Sequence, residues 1–334
     1  MKIAVRRTYF GDRLCFPGIV PHALLDLRAA HTRRLVLEGV CRADAVAQAE
    51  RAIASDLPAL LRDDPELTEV RRLHEWAAER AGSGDLHDGC TWLHVPKLLG
   101  PPVGSPRMVW GMSGNYPRQR PNTADPSRPD RPEPDGPPAP RGFVKAPGSL
   151  AGAYDDIRYP AISSHVEPEI ELAAVISRRC RGLKREDAMS AVAGYVAFCD
   201  LSARDIGAQD RHLLDRAKGF DTFGIVGPWF VTADEIPDPH KLRVRCWVNG
   251  EERQDGNTSG MLHDIPEQLA WLSSALTLRP GDVLSTGTPA AVAPIVPGDV
   301  LRGEVEGLGV MENAVLRQSA TAARSIEGGG GTSW

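Results

Sequence analysis

Glu169-Ile170-Glu171-Leu172-Ala173-Ala174-Val175-Ile176 is an apolar run that carries two carboxylates two residues apart. Alternate side chains of a strand point to opposite faces, so Glu169 and Glu171 are predicted to share one face while Ile170, Leu172, Ala174 and Ile176 fill a core on the other. Carboxylates that close repel one another and hold on to a proton unless a cation lies between them. Taken alone, the pair also fits the solvated face of a half-buried strand. A third acid, Asp200, ends the next apolar stretch, Gly194-Tyr195-Val196-Ala197-Phe198-Cys199, just before a polar turn. Three carboxylates with no Cys or His among them make a hard, all-oxygen donor set, which suits Mg²⁺ or Mn²⁺ and not Zn²⁺.

Working outward, Arg107 to Met112 and Gly142 to Lys145 read as strands, and Glu186 to Met189 opens a short helix ahead of the Asp200 strand. Ser202-Ala203-Arg204-Asp205 has capping-box spacing, with Ser202 as N-cap and Asp205 reaching back, which gives Asp205 a structural role. Leu242 to Val248, Asn249-Gly250, then Glu251 to Gln254 is a hairpin signal, because Asn-Gly accepts the positive φ of a tight primed turn. Asp264-Ile265-Pro266-Glu267 caps a helix with Ile265, Leu269, Leu272 and Leu276 as its buried stripe. Two Pro-Gly-Asp-Val-Leu stretches, 280–284 and 297–301, read as independent strand entries after Pro-Gly turns.

Toward the amino terminus, residues 2–8 and 13–20 read as two strands around Gly11-Asp12. Two amphipathic helices follow. The first covers about 42–61, with Ala45, Ala49, Ile53, Leu57 and Leu60 on one face. The second starts after Pro65, with Leu67, Val70, Leu73, Ala77 and Ala81 at helical intervals and His74 beside the stripe as a packing or surface residue. Residues 83–106 are loop-rich, punctuated by Pro96, Pro101, Pro102 and Pro106. The expected class is α+β, mostly β. A small amino-terminal α+β domain with its linker takes 1–105, and a larger domain takes 106–317. The latter is interrupted by a proline-rich insert or lid over 117–141, and a flexible glycine-ending tail occupies 318–334.

At 334 residues and 42% hydrophobic content, the chain can bury a substantial core without staples. A formal net charge of -5, with Arg scattered, provides no basic field for nucleic acid or anionic membrane. The six cysteines form no C-x-x-C pair and read as reduced, buried small hydrophobes. The first residues lack the apolar core of a signal peptide and no stretch reaches membrane-spanning length, so the expected location is the cytoplasm.

Residues 161–315 resemble the fumarylacetoacetate hydrolase superfamily. The resemblance rests on Glu169-Ile170-Glu171-Leu172, Asp200-Leu201-Ser202-Ala203-Arg204-Asp205, Lys218-Gly219-Phe220-Asp221-Thr222-Phe223 with Gly227-Pro228-Trp229, Val248-Asn249-Gly250-Glu251, Asn257-Thr258-Ser259 and Thr286-Gly287-Thr288-Pro289. It extends more weakly upstream through Gly114-Asn115-Tyr116 and Phe143-Val144-Lys145. The resemblance implies a mixed β-sandwich or roll, usually homodimeric, with Glu169, Glu171 and Asp200 as ligands of Mg²⁺ or Mn²⁺. It implies Arg204, Lys218, Gly287 and Thr288 as substrate-binding residues, with Arg204 and Lys218 also catalytic. A surface salt bridge is the alternative for those two. The implied substrate is a small oxo-acid or 1,3-dicarbonyl compound, and the implied chemistry passes through a metal-stabilised enolate: decarboxylation, isomerisation, hydration or C-C hydrolysis.

This chain departs from the family pattern at three places. Members that hydrolyse C-C bonds follow Asn-Tyr with a motif whose His activates water, but here Asn115-Tyr116 runs into Pro117-Arg118-Gln119 with no His before Arg141. Gly207 stands where the family tends to carry Gln, with Gln209 out of register, and Ala290-Ala291-Val292-Ala293 replaces a glycine-richer turn. Without a lid base, steps that need no activated water are favoured over diketone hydrolysis, unless His165 or His212 takes its place. Two other readings keep the fold: a non-catalytic scaffold that binds a ligand or partner through the insert, and a biosynthetic tailoring enzyme.

Overall fold

The computed structural model describes residues 1–86, 89–117, 139–211, 213–289 and 293–318. His212, residues 290–292 and nearly all of the expected insert and tail therefore lie outside the described residues. Lys2–Arg6 (β1) and Arg13–Pro17 (β2) pair antiparallel around Gly11-Asp12, and Ala23–Asp26 (β3) adds beyond β2. Asp26 then caps Leu27–Leu37 (α1), accepting from Ala29 N at 3.0 Å. No helix was expected there, because His31 stands in its buried stripe with Leu27, Ala30 and Leu35, and three arginines dilute the period.

The single helix expected over 42–61 is two, Arg42–Ala52 (α2) and Leu57–Asp63 (α3). Ile53 turns extended, and Asp56 caps α3 by accepting from Ala59 N at 2.8 Å beside Pro58. That start signal overrides the continuous apolar stripe. Thr68–Glu79 (α4) follows the expected pattern, burying Val70, Leu73 and Ala77, and the His74 ring packs edge-on to Phe16 at 5.0 Å. The loop-rich stretch carries two strands, Thr91–Leu93 (β4) on β3 and Leu99–Gly100 (β5) on β1, too short for alternation to register.

Strands dominate from there. Val109–Met112 (β6), Gly142–Lys145 (β7), Leu150–Gly152 (β8), Ile157–Tyr159 (β9) and Val166–Glu167 (β10) lead to two long strands, Ile170–Ile176 (β11) and Val192–Asp200 (β12). Next come Ser202–Ala203 (β13), Arg204–Gln209 (α5), Leu214–Lys218 (α6), Gly224–Val226 (β14) and Phe230–Thr232 (β15). The expected capping box is not formed. Ala203 is the N-cap of α5, and Asp205 instead accepts from Ser163 Oγ and Ser164 N, both at 2.7 Å, because tertiary partners outcompete the local one.

Arg243–Val248 (β16) and Glu251–Asn257 (β17) form the Asn249-Gly250 hairpin with positive φ at both turn residues. Asp264 caps Ile265–Ala275 (α7), and Val283–Ser285 (β18), Val300–Val305 (β19) and Gly309–Arg317 (β20) are the last elements among the described residues. In both Pro-Gly-Asp-Val-Leu stretches the Asp accepts from the amide three residues back, at 2.8 Å, and the strands that follow belong to different sheets.

The larger sheet runs β4-β3-β2-β1-β15-β12-β11-β18-β6-β7, with β5 on β1, β14 on β12 and β8 on β14; the smaller runs β17-β16-β19-β20-β9. One half of β1 pairs with β15 and the other with β2, so the amino-terminal hairpin continues the main sheet. This is the mostly β, α+β architecture expected. Every residue of β11 is buried. Ile170, Leu172, Ala174 and Ile176 pack in the core shared with the smaller sheet and α7, while Ala173 and Val175 pack with Leu57, Leu61 and Val70 of the amino-terminal helices. The half-solvated strand is excluded, and the acids sit at the end of a strand covered on both faces.

Candidate metal centre

Strand register brings the three acids together. β11 and β12 are antiparallel with Glu171 opposite Phe198, and Asp200 N donates to Glu169 O at 2.8 Å. Glu169, Glu171 and Asp200 therefore leave the same face at the same end of the pair. One carboxylate oxygen from each lies within 4.8 Å of the others. Glu171 and Asp200 are each 2% exposed, so these charges are out of water and need partners.

Cations from three other elements supply some. Lys218 Nζ, at the end of α6, lies 2.7 Å from Glu169 Oε2 and 2.5 Å from Asp200 Oδ2. Lys145 Nζ, from β7, donates to Asp200 Oδ1 at 2.7 Å and to Lys218 O at 2.6 Å. Gly224 makes room for it, since a side chain there would run into Leu150 and the Lys145 stem. Arg204, the first residue of α5, donates through Nε to Glu167 Oε2 and through Nη2 to Glu169 Oε1, both at 2.6 Å. Among the described residues Glu171 has only neutral hydrogen-bond donors, Ser285 Oγ at 2.5 Å and Gly287 N at 2.9 Å.

The electrostatics follow from that division. Burial disfavours the charged form of Glu169, but Lys218 and Arg204 outweigh it and hold the carboxyl down to about 2. Burial of Glu171, with Asp200 and Glu169 beside it, pushes its carboxyl up to about 8. Burial also works against the Lys218 ammonium, yet Asp200 and Glu169 win and raise its pKa above the ordinary lysine value. Lys145 goes the other way, lowered by burial and by Lys218 against the pull of Asp200.

The expected substrate-binding groups are all near these acids, and each makes a contact within the protein. Gly287, at φ 91°, turns its N-H to Glu171. The Thr288 hydroxyl donates to Ile170 O at 2.9 Å and accepts from Gln254 Nε2 at 2.7 Å. Arg204 keeps only Nη1 and one N-H of Nη2 uncommitted to these acids. Gly207 is buried in α5 and Gln209 is exposed. Lys145, Glu167, Gln254 and Ser285 were given no role from the sequence. Glu167 had a signal, since it lies two residues before Glu169 and continues the alternation of acids. Lys145, Gln254 and Ser285 come from strands that only the folded topology brings close.

A hard dication fits this donor set. Three carboxylates can each offer one oxygen, none needs a thiol or imidazole neighbour, and the acid without a cationic partner, Glu171, is the one whose charge a cation would stabilise.

Comparison with known proteins identifies the family. Residues 108–316 match the fumarylacetoacetate (FAA) hydrolase C-terminal family. The mitochondrial oxaloacetate tautomerase FAHD2A of Bos taurus is 42% identical over 183 residues, which is 52% of this chain and 58% of that protein. Among solved structures, maleylpyruvate hydrolase from Sphingobium sp. SYK-6, in complex with manganese(II) ion and pyruvate, superposes with a TM-score of 0.68 at 28% identity, covering 95% of this chain and 100% of that one. The 5-carboxymethyl-2-hydroxymuconate delta-isomerase from Mycobacterium smegmatis gives 0.67 at 27% identity, with 95% and 100% covered. With well over half of its length inside the matched region, the chain belongs to the fumarylacetoacetate hydrolase family.

Proposed function

We propose that this protein is a divalent-cation-dependent enzyme that takes a small 2-oxo acid or 1,3-dicarbonyl compound through its enolate, moving a proton or releasing CO₂ without an activated water. The observation that carries the reading is the clustering of Glu169, Glu171 and Asp200, one oxygen each within 4.8 Å, at a buried strand end ringed by Lys218, Lys145 and Arg204. A bound Mg²⁺ or Mn²⁺ would act as a Lewis acid toward substrate oxygens. The residues of the chain do the rest. Lys218 holds a proton on Nζ and a fixed positive charge beside the cluster, which favours a substrate that becomes more anionic as it reacts. Arg204 holds Glu169 in place, and Ser285 with Gly287 N orients Glu171.

Enolisation passes a C3 proton to a base exchanging with solvent and leaves the C–H electron pair in the C2–C3 bond, with charge on the C2 oxygen. It activates no water, the task of the histidine missing between Asn115 and Arg141. The oxaloacetate tautomerase and delta-isomerase relatives carry proton-moving activities in their names, which supports this choice, while the maleylpyruvate hydrolase, as similar in fold, marks hydrolysis as the alternative. The test is exchange of the C3 protons of 2-oxobutyrate for deuterium, followed by NMR in D₂O. Exchange is expected with Mg²⁺ or Mn²⁺ supplied, and is lost after chelation and in Asp200→Asn. Rapid hydrolysis of acylpyruvates with no C3 exchange would contradict it.

A further inference from the structure

Beside the acid cluster one buried polar atom is spent on nothing. Tyr116 is 8% exposed, and its hydroxyl makes no hydrogen bond among the described residues. The stretch that carries it is firmly placed. β6 and β18 run parallel, so Asn115-Tyr116 and Thr286-Gly287-Thr288 leave the sheet at the same end. Asn115 ties that end together: its Nδ2 donates to Thr286 O at 2.8 Å and to His263 O at 3.1 Å, and its Oδ1 accepts from His263 N at 2.9 Å.

The Tyr116 ring fits between two glycines. A Cβ on Gly260 would lie 3.3 Å from its Cδ1, and one on Gly287 would lie 3.6 Å from its Cδ2 and Cε2. Gly287 is the residue whose N-H reaches Glu171 Oε2 at 2.9 Å, so the ring lies against the backbone that grips one of the three acids. A phenylalanine ring would fill the same slot, and packing therefore does not account for the oxygen. The Thr286 hydroxyl comes near, but its proton goes to Leu172 O at 2.8 Å and it makes no hydrogen bond with the phenol. Burial and the charge of Glu171 push the phenol's pKa above the ordinary tyrosine value, so it keeps its proton and remains a donor. With Glu171 and Asp200 each 2% exposed, the acids are no more open than the phenol, and a ligand that enters to meet them enters beside it. An unpaired buried donor costs stability, and next to a site built for anionic oxygens it marks a hydrogen bond that the ligand completes.

We propose that Tyr116 is a further substrate-contacting residue, whose phenol donates a hydrogen bond to a carboxylate or enolate oxygen of the oxo acid held at Glu169, Glu171 and Asp200. The proposal rests on the enolate reading above. It adds a neutral donor on the Glu171 side of the cluster, where no cation among the described residues makes a hydrogen bond.

The hydroxyl acts in opposite directions in the empty and the occupied protein, which separates this role from a structural one. Tyr116→Phe removes the oxygen and keeps the ring. Urea unfolding of the chelator-treated proteins measures its cost, and calorimetric titration of the Mn²⁺-loaded proteins with oxalate, a planar dianion that mimics an enolised 2-oxo acid, measures its use. The variant is expected to be at least as stable as the wild type, to bind Mn²⁺ within about twofold of it, and to bind oxalate about tenfold more weakly, as for loss of one hydrogen bond to a charged group. Oxalate binding weakened by less than about threefold would overturn the assignment. So would a variant less stable than the wild type, because the oxygen would then already be paired within the protein. No Mn²⁺-dependent oxalate binding by the wild type would instead overturn the enolate reading on which the proposal rests.

Discussion

Replacing Glu171 by Gln should stabilise the metal-free protein while destroying its cation site. Among the described residues Glu171 is the one acid of the three with no cation in hydrogen-bond contact, and burial together with Asp200 and Glu169 outweighs the pull of Lys218 and lifts its carboxyl from 4.5 to about 8. A carboxyl raised on folding keeps a proton that the unfolded chain has lost, so its cost to stability is absent below about pH 4.5, grows as pH rises, and levels off near pH 8. Each pH unit in that window is worth about 1.4 kcal/mol, so the penalty reaches on the order of 3 kcal/mol at pH 7. Glutamine is neutral throughout, and its carbonyl can still accept from Ser285 Oγ and Gly287 N. Urea unfolding of chelator-treated protein at pH 5 and pH 8 measures the effect. The wild type should lose stability between the two and Glu171→Gln should not, while only the wild type takes up Mn²⁺ in calorimetry. Parallel stability curves for the two proteins would refute the account of the acid cluster.

Lys145→Met leaves Asp200 Oδ1 and Lys218 O without their donor in a site where Lys145 is 1% exposed, and breaking such a buried pair is expected to cost about 3–5 kcal/mol by urea unfolding. A loss within experimental error would contradict the network. Thr288→Val removes the hydroxyl between Gln254 and Ile170 O and should cost about 1–3 kcal/mol, whereas Thr288→Ser retains most of the stability; equal losses would assign the effect to packing. Burial pushes Asp155 up, but the Arg7 guanidinium at 2.5 and 2.6 Å and Gly152 N outweigh it and hold its carboxyl below the ordinary value. The stability it contributes is complete above about pH 4 and is lost as pH falls through its depressed pKa. Thermal melts of Asp155→Asn should accordingly differ from the wild type at pH 7 and approach it as pH falls through that depressed pKa, and a constant difference would exclude that linkage.

The sequence made β11 and Asp200 legible for a simple reason. A period of two is short enough to be read within eight residues, and an acid at the end of an apolar run is conspicuous. Glu167 was legible by the same alternation carried one step further back, but Pro168 interrupts the run and hides it. Lys145 and Gln254 could not be read this way, because their importance lies in which strand the topology sets beside Asp200 and Thr288. Arg204 and Lys218 were recognisable by type and motif, while their partners were not. Local signals also failed in both directions. Ser202 to Asp205 spelled a cap that Ser163 and Ser164 took over, and Asp56 with Pro58 broke a helix that its apolar stripe ran straight through.

The claim on which the rest depends is that Glu169, Glu171 and Asp200 jointly hold one divalent cation. Anomalous diffraction from crystals grown with Mn²⁺ measures this directly. The account predicts a single strong peak about 2.1 Å from one carboxylate oxygen of each residue, absent from crystals of Asp200→Asn. A Mn²⁺ peak held by other residues, or none at saturating Mn²⁺ with the three side chains still converged, would contradict it.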